Sequence, residues 1–230
     1  MKRCLPICVP SLDRAEALVS SSHEDFEAFE LWLDYLTFRD VERLSKLIAS
    51  TPQDFLLLLR RKNLESTNCS MTEQFEIVDA LQGARIYWDF DVSVQEELIK
   101  YFRSKERDSQ LICSYHNYLA TPPLQELREI VQRMEPYDPQ VYKLACFTNC
   151  QRDTVNLLEI LCELREAEKR AVVLGMGERG MMTRVFGEQL GQEFMFLVTK
   201  EEDATAPGQL SIEQLNRIEK LLEQVAHGGK

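Results

Sequence analysis

The sequence predicts an α/β protein folded as a single (β/α)8 (TIM) barrel over residues 1–230. Three observations carry that expectation. Short apolar segments alternate with amphipathic helical ones from end to end, which is the pattern of a parallel sheet wrapped by helices. The strand segments are apolar on nearly every residue, as strands buried on both faces must be. Eight such βα units fit 230 residues, which suits a closed barrel better than an open sheet. No linker, charge block or composition shift marks a second domain.

In chain order the expected strands are Cys4–Val9, Ala28–Leu33, Phe55–Leu59, Ala84–Asp89, Leu111–Tyr115, Val141–Phe147, Ala171–Leu174 and Glu193–Val198. The third holds the longest tight apolar run, far too short to span a membrane. Between strands lie Val41–Ala49, Thr72–Leu81, Gln95–Phe102, Pro123–Met134 and Thr154–Ala167, with apolar residues at i, i+3 and i+4 and charge opposite. Glu201–Asp203 followed by Pro207-Gly208 reads as a loop after the eighth strand. A last helix is expected at Ile212–Val225, with Ser211 as its N-cap.

Composition narrows the function. With 27 Lys+Arg against 38 Asp+Glu the formal charge is −11, which argues against nucleic acid as the main partner. The seven cysteines are odd in number and lack paired CxxC spacing; Cys146 and Cys150 form a lone CxxxC. Buried apolar thiols in a reducing cytosol are expected, and no metal. Met1-Lys2-Arg3 leads into a segment broken by Pro6 and Pro10, too short for a signal peptide. The expected setting is cytoplasmic, with no membrane contact.

A barrel builds its site at the C-terminal ends of the strands. The polar residues there are Glu30, Arg60, Asp89, Asp91, His116, Lys143, Arg184, Thr205 and Gln209. Lys143 is the most unusual, because apolar neighbours line its whole strand and lysine is rarely buried without a reason. Burial disfavours the ammonium, and the neutral amine attacks a ketone. The plainer alternative is a lysine that snorkels to the strand end or pairs with a carboxylate. His116, one of three histidines, suits general acid/base work at a barrel mouth; alone it reads more readily as a strand-end histidine bonded to backbone, and the lysine on the neighbouring strand shifts the balance. Gly175-Met176-Gly177-Glu178-Arg179-Gly180 matches GxGxxG after an apolar strand. It lies too near the C-terminus for a dinucleotide fold and reads better as a tight loop, with Arg184 one turn on as an anion ligand. Thr205-Ala206-Pro207-Gly208-Gln209 has the makings of a lid, or of a plain surface turn. Glu30 and Arg60 are charges at positions where burial is expected, set to pair with each other or to bind substrate hydroxyls.

In this order the residues resemble type I 3-dehydroquinate dehydratase, a Schiff-base enzyme of the shikimate pathway that serves aromatic amino acid biosynthesis. The matching pieces are Glu30-Leu31-Trp32-Leu33-Asp34, Ser114-Tyr115-His116-Asn117, Thr121-Pro122, Lys143-Leu144-Ala145, the run Met176 to Arg184, and Ala206-Pro207-Gly208-Gln209. The resemblance implies a (β/α)8 barrel lyase that removes water from 3-dehydroquinate without metal or diffusible cofactor. It implies Lys143 as the imine-forming residue and His116 as the acid/base. Arg184, Thr205 and Gln209 would hold the substrate carboxylate, and Glu30 and Arg60 the ring hydroxyls. Family members are often dimers, so a homodimer is also implied. This chain departs from the family at Trp32, where an arginine is usual, and in Arg60-Arg61-Lys62-Asn63-Leu64-Glu65-Ser66. There the family tends to have Glu-Gly-Gly, whose glutamate orients the histidine, and Glu65 stands one residue out of register with it. Thr183 and Thr205 stand where serine is common. Two alternatives are a class I aldolase-type barrel acting on a sugar phosphate, and a non-catalytic relative that binds a carboxylate metabolite or a partner protein.

Overall fold

A computed structural model describes residues 1–36, 40–61 and 69–227. Among the described residues, eight parallel strands alternate with eight α-helices: β1 Lys2–Ile7, α1 Leu12–Ser22, β2 Ala28–Trp32, α2 Val41–Ser50, β3 Asp54–Leu58, α3 Met71–Ala80, β4 Ile86–Asp91 and α4 Glu96–Arg103. They continue as β5 Gln110–Asn117, α5 Leu124–Met134, β6 Val141–Phe147, α6 Gln151–Glu166, β7 Ala171–Met176, α7 Met181–Val185, β8 Phe194–Phe196 and α8 Ile212–His227. The strands run in the order β7-β6-β5-β4-β3-β2-β1-β8, a (β/α)8 barrel as the sequence predicts. Its seam lies between β7 and β8, where Glu193 N–H donates to the Ala171 carbonyl (2.8 Å) and Val173 N–H donates to Gln192 Oε1 (2.8 Å).

Strand residues two apart share a face, and this sorts the barrel interior into layers. Cys4, Ala28, Leu56, Tyr87, Ile112, Val141, Val172 and Phe194 belong to the apolar cluster that fills the interior. One step further along β2, β4, β5 and β6, the inward positions are Glu30, Asp89, Ser114 and Lys143, all buried. The apolar neighbours of Lys143 are its outward ones: Tyr142, Leu144 and Cys146 pack in the outer core under the helices. Its strand is therefore hydrophobic on one face and carries a charge in the middle of the other.

Local chemistry sets the helix starts. Asp40 accepts from Arg43 N–H (2.9 Å), and Ser70 and Glu73 form a reciprocal capping box at α3. Ser211 and Gln214 do the same at α8, with bonds of 3.2 and 2.9 Å. The glycine-rich segment is a packing device: a Cβ on Gly180 would lie 2.3 Å from the Gly175 carbonyl carbon, so only glycine permits this approach. Thr183 Oγ1 locks the turn by accepting from Gly175 N–H (2.8 Å) and donating to the Gly180 carbonyl (2.7 Å). The Pro207 carbonyl accepts from Gly177 N–H (3.0 Å), seating the β8–α8 loop on this turn. The barrel and this packing leave the dinucleotide reading of GxGxxG without structural support. Among the described residues no helix is long and apolar enough to cross a membrane.

Candidate active site

A cavity opens at the C-terminal ends of the strands, enclosing ≈ 560 Å³ up to its open mouth. Six of the seven residues expected at the site line it: Lys143, His116, Glu30, Arg184, Thr205 and Gln209. Arg60 is the exception. The Asp34 carboxylate accepts from its backbone N–H (2.9 Å) and Nε (3.1 Å), and the Asp34 carbonyl accepts from Nη2 (2.9 Å). The guanidinium lies over the Tyr35 ring, 4.5 Å from its centroid, and it pairs with neither Glu30 nor the cavity. Arg61 lines the cavity instead, 1% exposed, with Nη2 3.6 Å from Asp89 Oδ1. The chain leaves the pleat after Leu58, so strand parity no longer tells which of two adjacent arginines turns inward.

Lys143 Nζ donates to Asp89 Oδ2 (2.6 Å) and Glu30 Oε1 (3.2 Å), and it lies 4.5 Å from the centroid of the Phe196 ring. Burial works against its ammonium, but the two carboxylates outweigh burial and the nearby Arg61, and its pKa is raised. This reverses the expectation that burial would favour the free amine; the pairing anticipated as the plainer alternative is present. Asp89 is buried too, and the charges of Lys143 and Arg61 hold its carboxyl well below the usual range. Its other oxygen accepts from Ser114 Oγ (2.5 Å).

His116 is held by Asp91, whose Oδ2 accepts from the histidine backbone N–H (2.8 Å) and lies 3.0 Å from Nδ1. A carboxylate facing Nδ1 selects the tautomer with the proton on Nδ1 and leaves the Nε2 lone pair free. Burial, then the charge of Arg61, lowers the His116 pKa despite the Asp91 bond, so the imidazole is neutral at pH 7. Asp91 is itself fixed by Ser93 N–H (2.8 Å) and by a short bond from Ser93 Oγ. The histidine thus has an orienting carboxylate on β4; Glu65, one residue out of register with the glutamate expected from the resemblance, lies outside the described residues.

Arg184 is 2% exposed, and its Nε and Nη1 have no hydrogen-bond partner among the described residues. Burial lowers its pKa to about 10. An unsatisfied buried guanidinium facing a cavity is arranged for an anion that the protein does not itself provide. Beside it, Gln209 Oε1 accepts from Thr205 N–H (2.7 Å) and Oγ1 (3.0 Å), which folds the loop over the cavity edge. Trp32 forms another wall, and its Nε1–H donates to Glu30 Oε2 (2.9 Å). Asp91 and Asp89 were visible in the sequence as strand-end acids. Arg61 was not, because its facing depends on how the chain leaves β3; the Trp32 contact was not, because parity puts the ring on the face of Glu30 without telling where its N–H points. No group of three or more potential metal ligands occurs among the described residues.

A sequence profile of the type I 3-dehydroquinase family matches residues 3–226. The chain is 32% identical over 209 residues to a 3-dehydroquinate dehydratase of Methanosarcina mazei, covering 86% of each protein. It is 28% identical over 228 residues to one from Methanococcus maripaludis strain C7, covering 94% of this chain and 99% of that protein. In fold it resembles the 3-dehydroquinate dehydratase of Geobacillus kaustophilus, with a TM-score of 0.80, 21% identity, and 97% and 91% of the two chains covered. The 3-hexulose-6-phosphate synthase of Salmonella typhimurium shares the barrel more distantly, at a TM-score of 0.57 and 16% identity over 97% and 99% of the chains.

Proposed function

The chain belongs to the type I 3-dehydroquinase family, and from that premise we propose that it dehydrates 3-dehydroquinate to 3-dehydroshikimate through an imine on Lys143. The observation that carries this reading is the meeting of Lys143, neutral His116 and unpaired Arg184 in one cavity. Together they offer an electron sink, a base and a carboxylate ligand.

The substrate carboxylate binds Arg184, with Thr205 and Gln209 alongside, and this presents the ring ketone to Lys143. The ammonium passes one proton to His116, the free amine adds to the carbonyl carbon, and the carbinolamine hydroxyl leaves as water with the proton returned by His116, giving a protonated imine. That cation occupies the place of the resting ammonium, so Asp89 and Glu30, which favour the ammonium, also stabilise the iminium. His116 Nε2 then removes the proton from the carbon next to the imine, and the electron pair moves into the iminium as an enamine. The pair returns to expel the hydroxyl one carbon further on, which leaves as water with the proton from His116. Hydrolysis of the conjugated iminium releases the enone and restores the amine. Glu30 and Arg61 face the remaining ring hydroxyls, Arg61 in the place expected for Arg60.

The proposal includes the cytoplasmic setting expected from the sequence, supported by the biosynthetic class of the substrate. The test is the ultraviolet absorbance of the conjugated enone after 3-dehydroquinate is added. Wild type should produce the band, and Lys143→Ala should not; equal rates in both would refute the imine route.

A further inference from the structure

Three features near the site have no part in the mechanism so far: Trp32, Tyr35 and the displaced Arg60. They form one continuous stack. Arg60, clamped by Asp34, lies over the Tyr35 ring at 4.5 Å. Tyr35 meets Trp32 edge to face at 5.6 Å between centroids, with the planes at 75°. The indole N–H then donates to Glu30 Oε2 (2.9 Å), while Glu30 Oε1 accepts from Lys143 (3.2 Å). We propose that Trp32 is a positioning residue, whose indole N–H, braced by the Tyr35–Arg60 stack, holds the Glu30 carboxylate against Lys143.

A glutamate has three side-chain torsions, and a single bond of 3.2 Å to a lysine does not fix its head group. A second bond to the other oxygen, from a donor on the same strand, does. The indole is also a neutral donor, so it fixes the carboxylate without cancelling the charge that Lys143 feels. A cationic donor there would compete with Lys143 for Glu30. The other groups facing Lys143 are Asp89 from β4, Arg61 beyond β3, His116 from β5, the Cys4 thiol from β1 and the Phe196 ring from β8. β7 turns Val172, Leu174 and Met176 inward, none of them charged. Glu30 is therefore one of two carboxylates that set the resting state of the amine, and Trp32 governs whether it stays in place. For its catalytic meaning this inference rests on the imine reading of Lys143.

The experiment is carbamylation of the folded full-length chain by cyanate at pH 8, with peptide mapping to read the rate at Lys143. Cyanate takes the neutral amine, so the rate follows the neutral fraction. Trp32→Phe keeps a ring in the wall but removes the N–H. A rise in rate of about threefold to tenfold is expected, and a smaller rise for Tyr35→Ala. Adding Trp32→Phe to Glu30→Gln should produce no further rise, which separates an effect through Glu30 from general opening of the cavity. An unchanged or slower rate in Trp32→Phe, or an equal increase in the Glu30→Gln background, overturns the inference. The readout needs no substrate, so a wild type that leaves 3-dehydroquinate unchanged would refute the proposed function while this result stands separately.

Discussion

Arg184 and Asp91 make opposite demands on the folded protein. A buried guanidinium whose Nε and Nη1 find no partner among the described residues costs stability in the free protein. Arg184→Met should therefore raise thermal stability, by about 1–3 kcal/mol, while KM rises by about 10- to 100-fold for loss of a charge-assisted contact. Thermal melts and steady-state kinetics on one preparation check both signs. Asp91 acts through His116. With its Nδ1 partner removed, Asp91→Asn should lower kcat by about 10²- to 10⁴-fold. The pH profile carries the sign. Burial and Arg61 lower the His116 pKa, so the base stays free below the ordinary histidine value, and the acid limb of kcat/KM should lie below about pH 6.5. The Asp91 bond raises that pKa, so the limb in Asp91→Asn should move to still lower pH. A limb that moves upward would contradict the assigned electrostatics.

Elements were legible where burial enforces a pattern. All eight strands fall on the apolar segments expected of them, since a strand covered on both faces cannot disguise itself. Helices α2 to α6 and α8 follow their amphipathic stripes. Two helices carried too little signal. α1 buries Leu12, Ala15, Val19 and Ser22, a thin stripe half made of small residues, and α7 has only five residues. The site was legible to the same extent. Lys143, His116 and Glu30 lie on strands, where parity fixes the facing, whereas Arg60 and Arg61 follow a strand end, where it does not. The turn between β7 and α7 bears on the proposed function because it sets the position of α7, which carries Arg184. Gly180→Ala should force it away from Gly175, costing about 1–3 kcal/mol of stability, and should raise KM as Arg184 shifts. Urea midpoints and KM measured together check this; an unaffected KM would separate the turn from the site.

At the scale of the whole molecule, the barrel converts sequence distance into proximity. Glu30, His116, Lys143 and Arg184 come from β2, β5, β6 and α7, yet they line one chamber, with Asp89 of β4 buried behind Lys143, because the C-terminal ends of the strands converge at the same end of the barrel. The apolar layer beneath forms a floor, and the Thr205–Gln209 loop, seated on Gly177, forms a rim. Among the described residues the chamber wall carries the carboxylate of Glu30 and the cations Lys143, Arg61 and Arg184, so a chain of net charge −11 presents a locally cationic cavity. The central claim is that this chamber forms a covalent imine at Lys143. The most direct measurement is the intact mass of the protein after borohydride reduction in the presence of 3-dehydroquinate, followed by peptide mapping. The account predicts a single adduct on Lys143 that is absent from Lys143→Ala; a folded wild-type protein with no adduct, or with one on another lysine, would contradict it.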